Sequence, residues 1–152
     1  MVPAKLRAKV VLERLSWVER MMADIRSLPL ESFDIFMTNP HVPAAAESYL
    51  RRGLEALLDL GRHILAKGFG QAPADYKSVA TEGRTVGLLD AEESHILEQM
   101  AGYRNRMVHF YHEITPEELY RICTTRLGDV ERVVEGFKRW IREHPERMDE
   151  TL

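Results

Sequence analysis

The sequence predicts an all-α protein, an up-and-down four-helix bundle with one additional short helix. Three observations carry that prediction. Apolar residues recur at spacings of three and four over four long stretches, the period of a helix with one buried face. No run shows the strict apolar–polar alternation of a strand. Prolines, glycines and capping boxes fall between the periodic stretches, where helices must start and stop.

Val11, Leu15, Val18, Met22 and Ile25 place the first helix over Ala4 to Ser27, and Pro29 ends it. Glu31 to His41 is mixed in character and reads as a connector with a short helical turn at Phe33 to Met37. Asn39 and Pro40 open the second helix, with Pro43 competing for the first helical position. It runs to about Lys67 with Leu50, Leu54, Leu57, Gly61 and Ile64 on one face, and Gly68-Phe69-Gly70 terminates it. Gly53 and Gly61 lie in its interior, where each costs about 1 kcal/mol against alanine. The reading that justifies them is close approach of a neighbouring helix.

A short helix follows from Asp75 to about Arg84, and Gly83 and Gly87 bracket a turn. Asp90-Ala91-Glu92-Glu93 is a capping box for a third long helix ending near Tyr111, with Ile96, Leu97, Met100 and Met107 inward. Thr115-Pro116-Glu117-Glu118 opens the fourth, which carries Leu119, Ile122, Leu127, Val130, Phe137 and Ile141 and stops before Pro145. Residues 1–144 therefore read as a single helical domain. Residues 145–152 read as a polar, frayed C-terminal tail.

A chain of 152 residues fits one domain, and at that size folding buries roughly 68–70% of the extended chain's surface. No segment approaches the ~20 apolar residues that span a bilayer, and Met1 to Arg20 mixes Lys, Arg and Glu with Val and Leu, unlike a signal peptide. The single cysteine, Cys123, forms no internal disulfide and fits the reducing cytoplasm, the expected location. Cys123 shares a helix with Ile122 and Leu127 and reads as a small core residue. With a net charge of −3 the chain is no general nucleic-acid coat, so any RNA contact must come from a local basic patch.

That patch is Gly102 to His112, which holds two arginines, two histidines and no acid. Within it Arg104, His109 and Tyr111 form the pattern R-x4-H-x-Y. Each alone has an ordinary reading: a solvated helix arginine, a structurally hydrogen-bonded histidine, an amphipathic tyrosine. Together they suit metal-free RNA cleavage. Imidazole is the side chain able to take a proton from a 2′-hydroxyl at neutral pH. A guanidinium matches phosphate oxygens and steadies developing charge. Asn105 is placed to orient His109 or to touch a sugar, and Arg106 to enlarge the basic patch. On an ideal helix Arg104 and His109 diverge by about 140°, whereas Arg104 and Tyr111 fall within about 20°. The pair converges if the helix unwinds after Val108, if the arginine curls back, or if a second copy completes the pocket across a two-fold axis.

Gly102-Tyr103-Arg104-Asn105 through Tyr111 resembles the G-[FY]-R-N-x-x-V-H-x-Y segment of HepT-like toxins of the HEPN superfamily. Glu47, Arg51 or Arg52, Glu55, Asp59 and His63-Ile64 resemble that family's second-helix pattern, and Pro73 and Tyr76 its short P-x-x-Y segment. The likeness covers roughly Ala44 to Ile141. It implies the toxin half of a toxin–antitoxin pair, a metal-independent endoribonuclease with Arg104 and His109 as the catalytic pair. It implies a homodimer, open to higher assembly with its antitoxin. That antitoxin would be an MntA-like nucleotidyltransferase, which adenylylates the motif tyrosine, here Tyr111. The added phosphate would repel RNA beside Arg104.

The alternative is a non-catalytic adaptor that binds a nucleotidyltransferase partner or a nucleotide. No cofactor is expected. A metal is not expected either, because His109, His112 and Glu113 lack a further ligand. Arg51, Arg52 and Arg62 are candidates to extend an RNA track, against the ordinary reading that they pair with Glu55 and Asp59.

Overall fold

The computed structural model describes residues 4–109 and 114–150. Among them are α1 (Ala8–Arg26), α2 (Phe33–Thr38), α3 (His41–Phe69), α4 (Tyr76–Thr85), α5 (Ala91–His109), α6 (Pro116–Thr125) and α7 (Leu127–Glu143), then a 3₁₀ turn over Pro145–Arg147. The fold is all-α. Helix α3 is the central element, packed against α1, α4, α5, α6 and α7. The stripe read from sequence is the buried one: Leu50, Leu54, Leu57, Gly61 and Ile64 all lie inside.

The interior glycines of α3 act as expected. A Cβ on Gly53 would stand 2.9 Å from Met22 Cε, and one on Gly61 would stand 2.7 Å from Val79 Cγ1 and 3.0 Å from Phe137 Cζ. Small residues here let α1, α4 and α7 close on the central helix. Gly70 ends α3 with φ of 67°, while Gln71 donates to the Leu65 carbonyl at 2.9 Å. That pairing satisfies carbonyls the helix end would otherwise leave open.

Local capping follows the sequence at most starts. Ser32 Oγ accepts from the Ile35 amide at 3.1 Å, Asn39 Oδ1 from His41 at 2.9 Å, and Asp75 Oδ1 from Ser78 at 2.8 Å. The Asp90 box closes in both directions: the Glu93 amide donates to Asp90 Oδ1 at 2.7 Å, and the Asp90 amide to Glu93 Oε1 at 3.0 Å. Glu93 is also held by both nitrogens of the Arg139 fork, at 2.7 and 2.8 Å, so a nearly buried carboxylate is fully matched. Phe33, Phe36 and Tyr120 form an aromatic cluster, and the Tyr120 hydroxyl donates to the Leu30 carbonyl at 2.8 Å.

Three expectations are corrected. First, α1 begins at Ala8 rather than Ala4, and the segment after His144 forms a 3₁₀ turn and a bridge rather than fraying. Both have one cause: Leu6 and Met148 form a parallel bridge, with Leu6 donating to the Arg147 carbonyl at 2.7 Å and Asp149 to the Leu6 carbonyl at 2.9 Å. Asp149 Oδ1 then caps the Ala8 amide at 2.9 Å. Leu6 and Met148 are apolar enough to be buried, which draws the polar segment around Met148 onto the bundle.

Second, the fourth long helix is broken into α6 and α7 at Arg126, whose φ and ψ are −114° and −2°. Thr124 and Thr125 turn their hydroxyls back onto the Tyr120 and Arg121 carbonyls, at 2.8 and 2.6 Å, a habit that bends helices. Arg126 then pairs with Asp129 at 3.1 Å and restarts the helix.

Third, the Thr115 box is only half made. Thr115 Oγ1 accepts from the Glu118 amide at 3.1 Å, but the Glu118 carboxylate is drawn to Arg106.

Candidate functional site

The C-terminal half of α5 presents the residues singled out in the sequence, and its neighbours α3 and α4 decide what they do. Arg104 is half-buried, with 19% of its side chain exposed. Its Nε lies 3.6 Å from Glu55 Oε1, and its Nη1 donates to Asn105 Oδ1 at 3.4 Å. Its guanidinium carbon sits 4.8 Å from the centre of the Tyr76 ring. Glu55 is shared, since Arg51 Nη1 donates to the same Oε1 at 2.8 Å.

Tyr76 meets two cations, for the Arg62 guanidinium carbon lies 4.9 Å from the centre of the same ring. Its hydroxyl donates to Asp59 Oδ1 at 2.8 Å. Burial, and then the bond to Asp59, push its pKa up to about 12, so the hydroxyl keeps its proton at any physiological pH. The ring's negative face and the Glu55 carboxylate together fix the direction of the Arg104 fork. The sequence alone assigns Tyr76 no physical role. The only signals are its place in the P-x-x-Y segment and the helical spacing of Arg51, Glu55, Asp59 and Arg62.

The remaining candidates separate. Arg106 faces α6, where Nη1 and Nη2 donate to the two Glu118 oxygens at 2.9 and 2.7 Å. The Arg106 fork holds the Glu118 carboxyl below its ordinary range. Arg106 therefore braces α5 against α6, a duty the sequence does not indicate. Asn105 is turned to Arg104.

His109 is the last residue of α5 and is exposed. Because α5 stays helical through His109, no unwinding before that residue brings it round to Arg104. The divergence of about 140° stands, with Arg104 turned towards α3 and α4. Tyr111, assigned to modification, and His112 lie outside the described residues. Among the described residues no three His, Cys, Asp or Glu side chains are grouped to hold a metal ion, and no helix is long and apolar enough to cross a membrane. Cys123 is buried, and burial pushes its thiol up to about 12, which leaves it unreactive at neutral pH.

The all-helical bundle thus carries R-x4-H on one helix, with the arginine braced by a neighbouring carboxylate and tyrosine. The chain belongs to the Ribonuclease HepT-like family, whose model matches residues 18–137. No curated protein matches it in sequence.

Solved structures share the fold. One is a tri-AMPylated HEPN toxin of Shewanella oneidensis in complex with MNT antitoxin, with TM-score 0.77 and 21% identity over 86% of this chain and 97% of that one. Another is YutE of Bacillus subtilis, a cytosolic protein of unknown function, with TM-score 0.76 and 15% identity over 92% of this chain and 94% of that one. A third, from Thermus thermophilus, has TM-score 0.59 and 28% identity over 82% of this chain and 98% of that one.

Proposed function

We propose that the chain is a cytoplasmic, metal-independent endoribonuclease toxin, acting as a homodimer and silenced by a nucleotidyltransferase antitoxin that adenylylates Tyr111. The observation that carries this reading is Arg104, held ready by Glu55 and Tyr76 in a chain of the HepT-like ribonuclease family, five residues before an exposed His109. His109 takes the 2′-hydroxyl proton, and the 2′-oxygen attacks the adjacent phosphorus. The P–O5′ bond breaks, and the proton passes to the leaving 5′-oxygen. The products are a 2′,3′-cyclic phosphate and a 5′-hydroxyl. Arg104 holds the phosphate and its growing charge, with Asn105 beside it, while Arg106, paired with Glu118, keeps α5 in place.

Since the two groups diverge on one α5, each working pair combines Arg104 of one protomer with a histidine from a second copy in a shared cleft. Adenylylation joins the AMP phosphorus to the Tyr111 oxygen and releases pyrophosphate from ATP. Support for that partner is the antitoxin-bound, tri-AMPylated toxin of the same fold.

Cleavage of single-stranded RNA in excess chelator, scored by cyclic-phosphate ends, is the test. His109→Ala is expected to lose roughly 10²–10⁴ in rate. Equal cutting by wild type and variant sinks the reading. Co-expression with the antitoxin should raise the intact mass by AMP units that Tyr111→Phe does not acquire.

One observation favours the non-catalytic adaptor: Arg104 already has partners in Glu55 and Tyr76, as a structural arginine would. On that reading Arg104→Ala lowers the melting temperature and RNA is never cut.

A further inference from the structure

Glu55, the carboxylate that meets Arg104, also lines a cleft that the cleavage chemistry does not use. It is a cavity of about 320 Å³ between α1 and α3, lined by Arg14, Trp17, Arg51, Arg52, Glu55 and Asp59. Its acids are already engaged, Glu55 by Arg51 and Arg104 and Asp59 by the Tyr76 hydroxyl. Arg14 and Arg52 are exposed, and neither makes a salt bridge among the described residues. Trp17 is half-buried, with the Arg52 guanidinium carbon 5.4 Å and that of Arg20 5.5 Å from its ring. Of these two arginines only Arg52 lines the cleft, so its wall sets one indole beside a planar cation, in a protein of net charge −3.

We propose that this α1–α3 cleft is a single-stranded RNA subsite, in which Trp17 and Arg52 stack on an unpaired base while Arg14 and Arg52 meet the flanking phosphates. The chemistry is specific to that ligand. Indole and guanidinium planes both stack on bases, and arginine forks match phosphate oxygens. An acidic peptide would use the charges and leave Trp17 idle. A duplex presents no free base face to it. Continuity with the cleavage site comes through Glu55, whose one oxygen accepts from Arg51, a residue of the cleft, and lies 3.6 Å from Arg104 Nε. A strand whose scissile phosphate sits at Arg104 would run its neighbouring nucleotides over α3 into the cleft.

The inference rests on the ribonuclease reading, and the test keeps the two apart. His109→Ala full-length protein is titrated with a fluorescein-labelled single-stranded RNA of mixed sequence, and anisotropy gives Kd across a salt series. Wild-type cleavage is scored in parallel. Adding Trp17→Leu should weaken binding roughly 5- to 150-fold, the span for one missing base stack. Adding Arg14→Gln or Arg52→Gln should lower the salt slope by about 0.7 for each phosphate no longer neutralised.

Tryptophan emission should be quenched by RNA and lose that response in Trp17→Leu, because the other tryptophan, Trp140, is buried against His144. Arginine variants with unchanged melting temperature keep the test sound if Trp17→Leu folds poorly. Wild type that cuts RNA, with every cleft variant binding as its parent does, overturns the subsite and leaves the ribonuclease standing. Wild type that neither binds nor cuts RNA overturns both.

Discussion

Tyr76 offers the sharpest check on how Arg104 is held. Its ring faces guanidinium carbons at 4.8 and 4.9 Å, both inside the ~6 Å reach of a cation–π contact. At a half-buried ring each is worth about 1 kcal/mol, between the exposed and desolvated limits. The hydroxyl adds a bond to the Asp59 carboxylate at 2.8 Å, of the charged kind that contributes about 1.5–3 kcal/mol. Tyr76→Phe should therefore cost about 1.5–3 kcal/mol and Tyr76→Leu about 2 kcal/mol more.

At roughly 2–4 °C per kcal/mol for a chain this long, calorimetry resolves the two steps. A double-mutant cycle of Tyr76→Leu with Arg104→Ala, read in urea unfolding, should give a coupling of about 1 kcal/mol from the ring contact alone. On the proposed ribonuclease reading, the same loosening should lower kcat/KM for RNA about fivefold, the equivalent of that energy. A coupling indistinguishable from zero, with both single variants destabilised, refutes the claim that the ring holds the arginine.

Gly61→Ala should lower stability despite a better helix propensity. The new Cβ at 2.7 Å from Val79 and 3.0 Å from Phe137 costs about 1–3 kcal/mol of overpacking, against about 1 kcal/mol gained. A higher melting temperature would show that α4 and α7 yield freely. Glu93 is held below the usual carboxyl value of 4.5, first by its bond to Arg139. A depressed folded-state pKa gives stability that is full well above 4.5 and disappears as pH falls through the folded value. Melting temperature against pH should be flatter in Glu93→Gln below about pH 5, and parallel curves would refute the linkage. Burial, followed by the nearby Lys67, Arg7 and Arg14 charges and against Asp149, lowers the His63 pKa below 6.5. Its Nε2 accepts from the Arg7 amide at 3.1 Å. The fold favours the neutral ring, so its contribution is intact above pH 6.5 and declines as pH drops below that value. Cleavage by trypsin near Arg7 should accelerate from about pH 7.5 to about 5.5 relative to His63→Gln, and equal ratios would count against it.

The fold is legible in the sequence wherever its determinants are local. The stripes of α1, α3 and α7 are periodic, and Asp90 with Glu93 or Asp75 with Ser78 lie within one turn. What escapes depends on residues distant in sequence or on choices between partners. Leu6 meets Met148 across nearly the whole chain, so no window of sequence contains both. Glu118 has two uses, a cap and a partner for Arg106, and only the packing of α5 on α6 decides between them.

The break at Arg126 arises from threonine hydroxyls competing with backbone, although the apolar period runs on across it. At the site, Arg104, Asn105 and His109 stand out by their spacing on one helix. The part played by Tyr76 does not, because a ring met by two arginines is a product of α3, α4 and α5 meeting. The same holds for Trp17, which looks like an ordinary amphipathic residue until α3 brings Arg51 and Arg52 alongside.

The pairing of Leu6 with Met148 has a practical consequence for engineering. Start and finish of the described polypeptide sit side by side, stitched by backbone amides, with Asp149 serving as the cap of α1 and Arg147 reaching the Gly68 carbonyl. A short glycine linker joining the segment at Leu6 to the one at Met148 would make a ring of the described residues, with new ends opened at a surface loop. Trimming everything after His144 as dispensable would instead uncap the first helix and bare Leu6 to water.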